Sequence, residues 1–277
     1  MRHFLLGALV LGGGVGISLA QSTAPLPNVE QLRQRAVANT AKTAEARERY
    51  TCRELVTGRE LDSKGNVKKT DTSERESFFV HGHQINQTLL KNGKPLSDGE
   101  KKKQDESVRK AIDEAMKADN GRKNMKSIST DDFLRLAKLS NERRVTVAGR
   151  PTILFDAAGD PGQKANTLPE KFMQAMAGTI AIDEQTGVAQ DIRMEGQRDV
   201  KVGGGMVANI HKGFKLHLKT MVQPDGVWLL DTVEGSGDAR VGLFLHPAGD
   251  FVQRTEGCKL TSVTTESVEK LNEKVKK

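Results

Sequence analysis

Cysteines and aromatic residues are scarce in this sequence: two cysteines, one tryptophan and one tyrosine among 277 residues, with aromatics making up 4% of the chain. The two cysteines show no C-x-x-C spacing, which excludes a thioredoxin-type redox motif. So few aromatics exclude a stacking platform for single-stranded nucleic acid, and no nucleic-acid motif is present. The signatures of common enzyme sites are also missing. There is no G-x-S-x-G elbow, no H-E-x-x-H helix and no G-x-x-x-x-G-K-[ST] loop. "KVGGGM" (201–206) is glycine-rich, but no helix follows to supply the N-terminal charge a phosphate cradle needs. His81 and His83 are two apart, a spacing metal sites use, yet no third ligand stands at a recognisable distance. A catalytic zinc needs three protein ligands. Asp131 and Asp132 open a helix, where the dipole is reason enough for them. The expectation is a protein with no catalytic residues, no metal and no cofactor.

Only one long apolar run occurs, Phe4 to Ala20, preceded by Arg2 and followed by small residues at the end of the run. It is short and glycine-rich against the roughly 20 apolar residues of a spanning helix. It reads as a cleavable secretory signal over residues 1–20, cut after Ala20. Gln21 rather than cysteine follows, so no lipid anchor is expected. The mature chain is then expected to be periplasmic or secreted, with no later transmembrane span. The formal charge of +7 falls by one when Arg2 leaves. Attraction to anionic lipid surfaces is one reading of the excess; solvated lysine faces are the simpler one.

Residues 28–49 pattern as a polar helix with a thin stripe at Val29, Leu32, Ala36 and Val37, N-capped by Asn28. From Tyr50 the period becomes two, and hairpins follow with turns at "DSKGN" and "KNGKP". Ser97 and Glu100 form a capping box, opening a helix to about Ala118 with a stripe at Val108, Ile112, Ala115 and Met116. A shorter helix capped by Thr130 carries Phe133, Leu134, Leu136, Ala137 and Leu139. After it, strand signal is almost continuous, with "GDPGQKANTLPEKF" as a loop and "KVKK" ending a lysine-rich tail over 268–277. In "GVAQDIRMEG", Val188, Gln190, Ile192 and Met194 alternate with Ala189, Asp191, Arg193 and Glu195. About ten strands with helices inserted as a block predict an α+β fold built on one curved antiparallel sheet. Without repeats or a linker, residues 21–277 are expected to be a single domain, with a helical insertion over 97–139.

The apolar face of such a sheet must lie against something. A cavity open to a lipid chain or hydrophobic peptide and a core filled by the helices draw on the same residue types, so both readings stand at this point.

The signal, the helix, "YTCRELVTGRELDSKGNVKKTDT", "NGKPLSDGEKKKQDESVRKAI", "GTIAIDEQTGVAQDIRMEG" and "DGVWLLDTVEGSGDARVG" resemble, in order and character, uncharacterised secreted bacterial proteins related to the lipoprotein-sorting carriers LolA and LolB. The resemblance implies an open half-barrel with helices across its concave side, used to hold acyl chains or to sense misplaced lipoproteins. It carries over no site residue. The expected ligand is a lipid or lipoprotein acyl chain on an apolar face formed by Phe214, Leu216, Leu218, Trp228 and Leu243. The alternative is an envelope interaction or sensor module that binds a protein partner and no small molecule.

Export also gives the cysteines a role. An even count in an oxidising compartment favours a disulfide. Cys52 starts the first strand and Cys258 lies on the last, so their bond would tie the two ends of the sheet together.

Overall fold

A computed structural model describes residues 24–62, 64–117, 130–202, 208–241 and 249–261. The proposed signal, the residues of "KVGGGM" from Gly203 onward, Leu243 and the lysine-rich tail lie outside the described residues. An eleven-stranded sheet, antiparallel throughout and not closed into a barrel, dominates the fold.

The chain enters through helix α1 (Val29–Glu48), whose Asn28 cap accepts from the Gln31 amide while the Gln31 side chain returns to the Asn28 amide. Strands β1 (Tyr50–Leu61), β2 (Val67–Val80), β3 (His83–Lys91) and the short β4 (Lys94–Pro95) form a meander. His81 and Gly82, at φ 47° and 75°, make the two-residue turn between β2 and β3. Positive φ at both positions matches the strand twist. The two histidines are thus parted by a turn: His81 sits in it and His83 opens β3.

Helix α2 (Asp98–Lys117) starts at Ser97, where the Glu100 carboxylate accepts from the Ser97 amide and hydroxyl. These bonds and the Lys91 ammonium hold the Glu100 carboxyl down at about 2. The sequence-derived stripe is the buried one: Ile112 and Ala115 pack with Val80 and Ile85, flanked by Val108 and Met116.

Helix α3 (Thr130–Leu136) is shorter than its sequence suggests, because Ala137 already begins β5 (Ala137–Val147) and Leu139 is a strand residue. Then come β6 (Arg150–Gly159), α4 (Leu168–Met173), β7 (Met176–Asp183) and β8 (Ala189–Gly196). The segment read as a loop contains α4, and its signal was in the sequence: Thr167 and Glu170 form a capping box with Pro169 in the first turn. Strands β9 (Val200–Val202), β10 (Ala208–Ile210) and β13 (Ala239–Val241) make a separate three-stranded sheet. Strands β11 (Lys215–Val222), β12 (Trp228–Gly237) and β14 (Gly249–Leu260) complete the large one, in the order β4-β3-β2-β1-β14-β12-β11-β8-β7-β6-β5.

The last strand therefore lies beside the first. Cys52 is directly opposite Cys258 in the β1–β14 ladder, and the two are disulfide-bonded as the sequence predicts.

The main core fills one half of the sheet face. Leu32 of α1, Phe133, Leu134 and Leu136 of α3 and Met173 of α4 pack on Ile153, Phe155, Ile180, Ile182 and Met194. Helix α1 comes so close to the β7–β8 turn that a Cβ on Gly187 would stand 2.2 Å from the Leu32 carbonyl oxygen. Its stripe is narrower than expected: Leu32 and Ala36 are buried, whereas Val37 is 53% exposed. In β8 the strict alternation fails at a register shift between Ala181 and Ile182, so Ala189 joins the core together with Ile192 and Met194.

Candidate functional site

Directly opposed residues of neighbouring strands share a sheet face, and following the registers shows how that face changes along its width. One row runs Gly58, Phe251, Gly235, Leu216, Met194, Gly178 and Ala157. The next runs Val56, Gln253, Val233, Leu218, Ile192, Ile180 and Phe155. On β6, β7 and β8 these rows lie under α1, α3 and α4 in the main core. On β14, β1 and β2 the same rows floor an open groove of about 830 Å³, bounded by Leu96, Glu100, Lys103, Gln104 and Ser107 at the start of α2. The two readings that the sequence left open, filled core and cavity, are thus both realised, at opposite ends of one face.

Glycines shape the groove. A Cβ at Gly58 would meet nothing within 4 Å, so β1 leaves a gap in the floor. At Gly235 a Cβ would collide with the Phe251 ring at 2.2 Å, and at Gly237 it would stand 2.9 Å from the Phe214 Cα. The missing side chains let Phe251 and the chain at Phe214 lie close against the sheet backbone, forming the apolar wall of the groove.

Next to the lining residues Arg75 and Gln253 lies a buried polar group, Glu54, which is not itself in the lining. Glu54 is only 2% exposed and accepts from Gln84 Nε2 and Gln253 Nε2, each at 3.0 Å. Burial pushes its carboxyl up, against the bond from Ser77 and the charge of Arg75. A raised carboxyl pKa favours folding where the group is protonated, so this contribution is lost as pH rises above the ordinary value of 4.5. Thermal melts of Glu54→Gln and wild type from pH 4 to pH 8 should show the difference moving in favour of the variant as pH rises. A pH-independent difference would contradict this account of Glu54.

The residues expected to form an apolar ligand face occupy different places. Phe214 lines the groove. Leu216 stands at its border, packed against the main core and against the smaller cluster of Ala175, Val200, Ile210 and Phe214. Leu218 is half-buried on the same strand. Trp228 is 5% exposed, with the Arg150 guanidinium 5.5 Å from its ring centroid, and it does not line the groove. Leu243 lies outside the described residues. Reading strands for apolar alternation passed over Glu54, Arg75 and Gln253. Their one trace is that "TSERESF" opposite "TCRELV" is polar at every position from Thr72 to Ser77, which also fits a solvated strand.

Elsewhere, His217 stands between Asp191 (3.1 Å) and Glu234 (3.5 Å), and His211 between Asp199 and Asp238. Among the described residues no group of three or more His, Cys, Asp or Glu side chains is placed to hold a metal, and no helix is long and apolar enough to cross a membrane.

No protein-family model matches the chain, and no curated protein matches it in sequence. Solved structures do resemble it. A putative outer membrane lipoprotein-sorting protein domain from Vibrio parahaemolyticus aligns at TM-score 0.42 and 8% identity, over 88% of this chain and 98% of that one. A DUF1329 family protein from Desulfovibrio piger aligns at TM-score 0.35 and 9% identity, over 86% and 95%. MucB, in its complex with MucA(peri), aligns at TM-score 0.24 and 10% identity, over 87% and 97%. At these scores and identities none of the three bears on what this chain binds.

Proposed function

We propose that the chain is an exported, non-enzymatic binding protein that holds the acyl chain of a lipid or lipoprotein in the groove over β14, β1 and β2. The observation that carries this reading is the groove itself: about 830 Å³, open along one side, floored by Val56 and Gly58 and walled by Phe214 and Phe251. Ligand sites span about 300–1,000 Å³, and here an apolar strip of Val56, Phe214 and Phe251 is flanked by nine charged side chains. The filled half of the face backs the groove with the main core. Export, read from the signal-like N-terminus, gives such a protein access to envelope lipids.

A fluorescent fatty acid, cis-parinaric acid, tests this. Its emission should rise saturably on adding wild-type protein, and the rise should be lost in Gly58→Trp. That substitution puts a large ring into a place where a Cβ meets nothing, so it blocks the groove without a clash at its base. Equal binding by both proteins would refute the assignment of the groove.

A protein partner is the second reading, favoured by the outer edge of β5. This eleven-residue strand ends the sheet and, among the described residues, pairs only with β6. Its outer edge is suited to addition of an extended segment. Crosslinking in cells separates the readings: a scaffold keeps one stoichiometric partner through β5, whereas a carrier exchanges its cargo.

A further inference from the structure

The charges around the groove are not balanced. Four carboxylates line it, and each is held in an ion pair: Glu60 by Lys68 at 2.9 Å, Asp71 by Lys69 at 2.7 Å, Glu100 by Lys91 at 3.1 Å and Asp250 by Arg59 at 2.7 Å. Five cations line the same space, and Arg75 and Lys103 have no ion-pair partner among the described residues. The spare charge of the groove is therefore positive.

Arg75 is the more telling of the two. It lies mid-strand on β2, opposite Glu54 on β1 and Thr88 on β3, which fixes it in the groove lining rather than on a mobile rim. Its Nε is buried and has no hydrogen-bond partner. Among the described residues no hydrogen bond and no ion pair engages its guanidinium, which lines an open groove and so is available to an acceptor supplied from outside. Glu54 does not fill that role. Its oxygens accept from Gln84 and Gln253, and no hydrogen bond or ion pair joins it to Arg75.

We propose that Arg75 seats an anionic head group, carboxylate or phosphate, of a single-chain amphiphile whose hydrocarbon lies along Gly58, Phe251 and Phe214. This rests on the acyl-chain reading above and names the chemistry at the other end of that ligand. A guanidinium fork matches either head group in two parallel bonds. Lys103, on the α2 wall, adds a second charge at the rim without a fixed geometry. Arg75 and the glycine floor then have one purpose, to hold a molecule that is charged at one end and apolar along its length.

Titration calorimetry at pH 7.5 with the mature protein tests this, using laurate, lysophosphatidate and uncharged 1-dodecanol as probes. Both anions should bind more tightly than the alcohol. Arg75→Gln should weaken both anions by about tenfold or more, the worth of a hydrogen bond to a charged group, and leave the alcohol unchanged. Tighter binding of lysophosphatidate than laurate points to a phosphate head, and the reverse to a carboxylate; either supports the proposal. If Arg75→Gln fails to fold because the nearby positive charge that Glu54 feels is lost, Glu54→Gln/Arg75→Gln removes both charges, and the same loss is expected. Anion affinity unchanged in the variant, or dodecanol bound as tightly as laurate, overturns the role of Arg75 while leaving the groove assignment intact. If none of the three probes binds, the acyl-chain reading falls and this inference with it.

Discussion

Reducing the Cys52–Cys258 bond should lower the free energy of unfolding by roughly 5 kcal/mol. The bond closes a loop over a sequence separation of 206 residues. In the chain-entropy account its effect falls on the unfolded chain, which loses most freedom when the loop is long. The native sheet does not need the bond for its shape: β1 pairs with β14 from Tyr50 to Glu60 and with β2 on its other side. The expected product of reduction is the same fold, standing much nearer its unfolding midpoint, since domains are stable by only about 5–15 kcal/mol. Urea unfolding at neutral pH, with and without reductant and for Cys52→Ala/Cys258→Ala, checks this. Reduced protein and double variant should agree, and an unchanged midpoint in both would contradict it.

Asp183→Ala should cost about 3–5 kcal/mol, the range for removing one partner of a buried pair. Asp183 is 0% exposed and ends β7. It accepts from Arg150 Nε at 2.6 Å and Nη2 at 3.2 Å, from the Thr186 amide and hydroxyl at 2.7 and 2.8 Å, and from Gln190 Nε2 at 3.1 Å. Truncation leaves all these donors facing a void and a partly desolvated guanidinium stacked on Trp228 without its counter-charge. The turn that carries Gly187 against α1 would lose its anchor as well. Burial pushes the Asp183 carboxyl up, but Arg150 and Thr186 outweigh it and hold the group below its ordinary 3.8. That contribution is present above pH 3.8 and is lost as pH falls through the lower folded-state value. Wild type should therefore lose stability on acidification faster than Asp183→Ala, as urea melts from pH 7 down to pH 2.5 would show. A variant as stable as wild type at pH 7 would contradict the account.

What the sequence revealed and what it hid divide along physical lines. Local patterns were legible: the Asn28 and Ser97 caps, the Ile112/Ala115 stripe, the switch to period two at Tyr50, and the antiparallel α+β plan. The cysteine pair, read through its compartment, also placed the last strand beside the first. The groove was not legible, because what makes it is an absence. Gly58 of β1 is brought to Gly235 and Gly237 of β12, far away in the chain, only in the folded sheet, through Phe251 of β14 between them. Register shifts hid more. That between Lys219 and Thr220 breaks the β11–β12 alternation that a sequence reading carries forward to Trp228, and Trp228 and Phe214, expected on one ligand face, have different neighbours. Arg75 and Glu54 looked like ordinary strand charges until their surroundings were known.

Native mass spectrometry of wild type and Gly58→Trp, each purified without detergent from the exported fraction of its own cell, tests the central claim most directly. Wild type should carry a non-covalent species with the mass of an acyl-chain amphiphile, and Gly58→Trp should not. Wild-type protein that is consistently ligand-free, or a variant that carries the same species in the same amount, would contradict it.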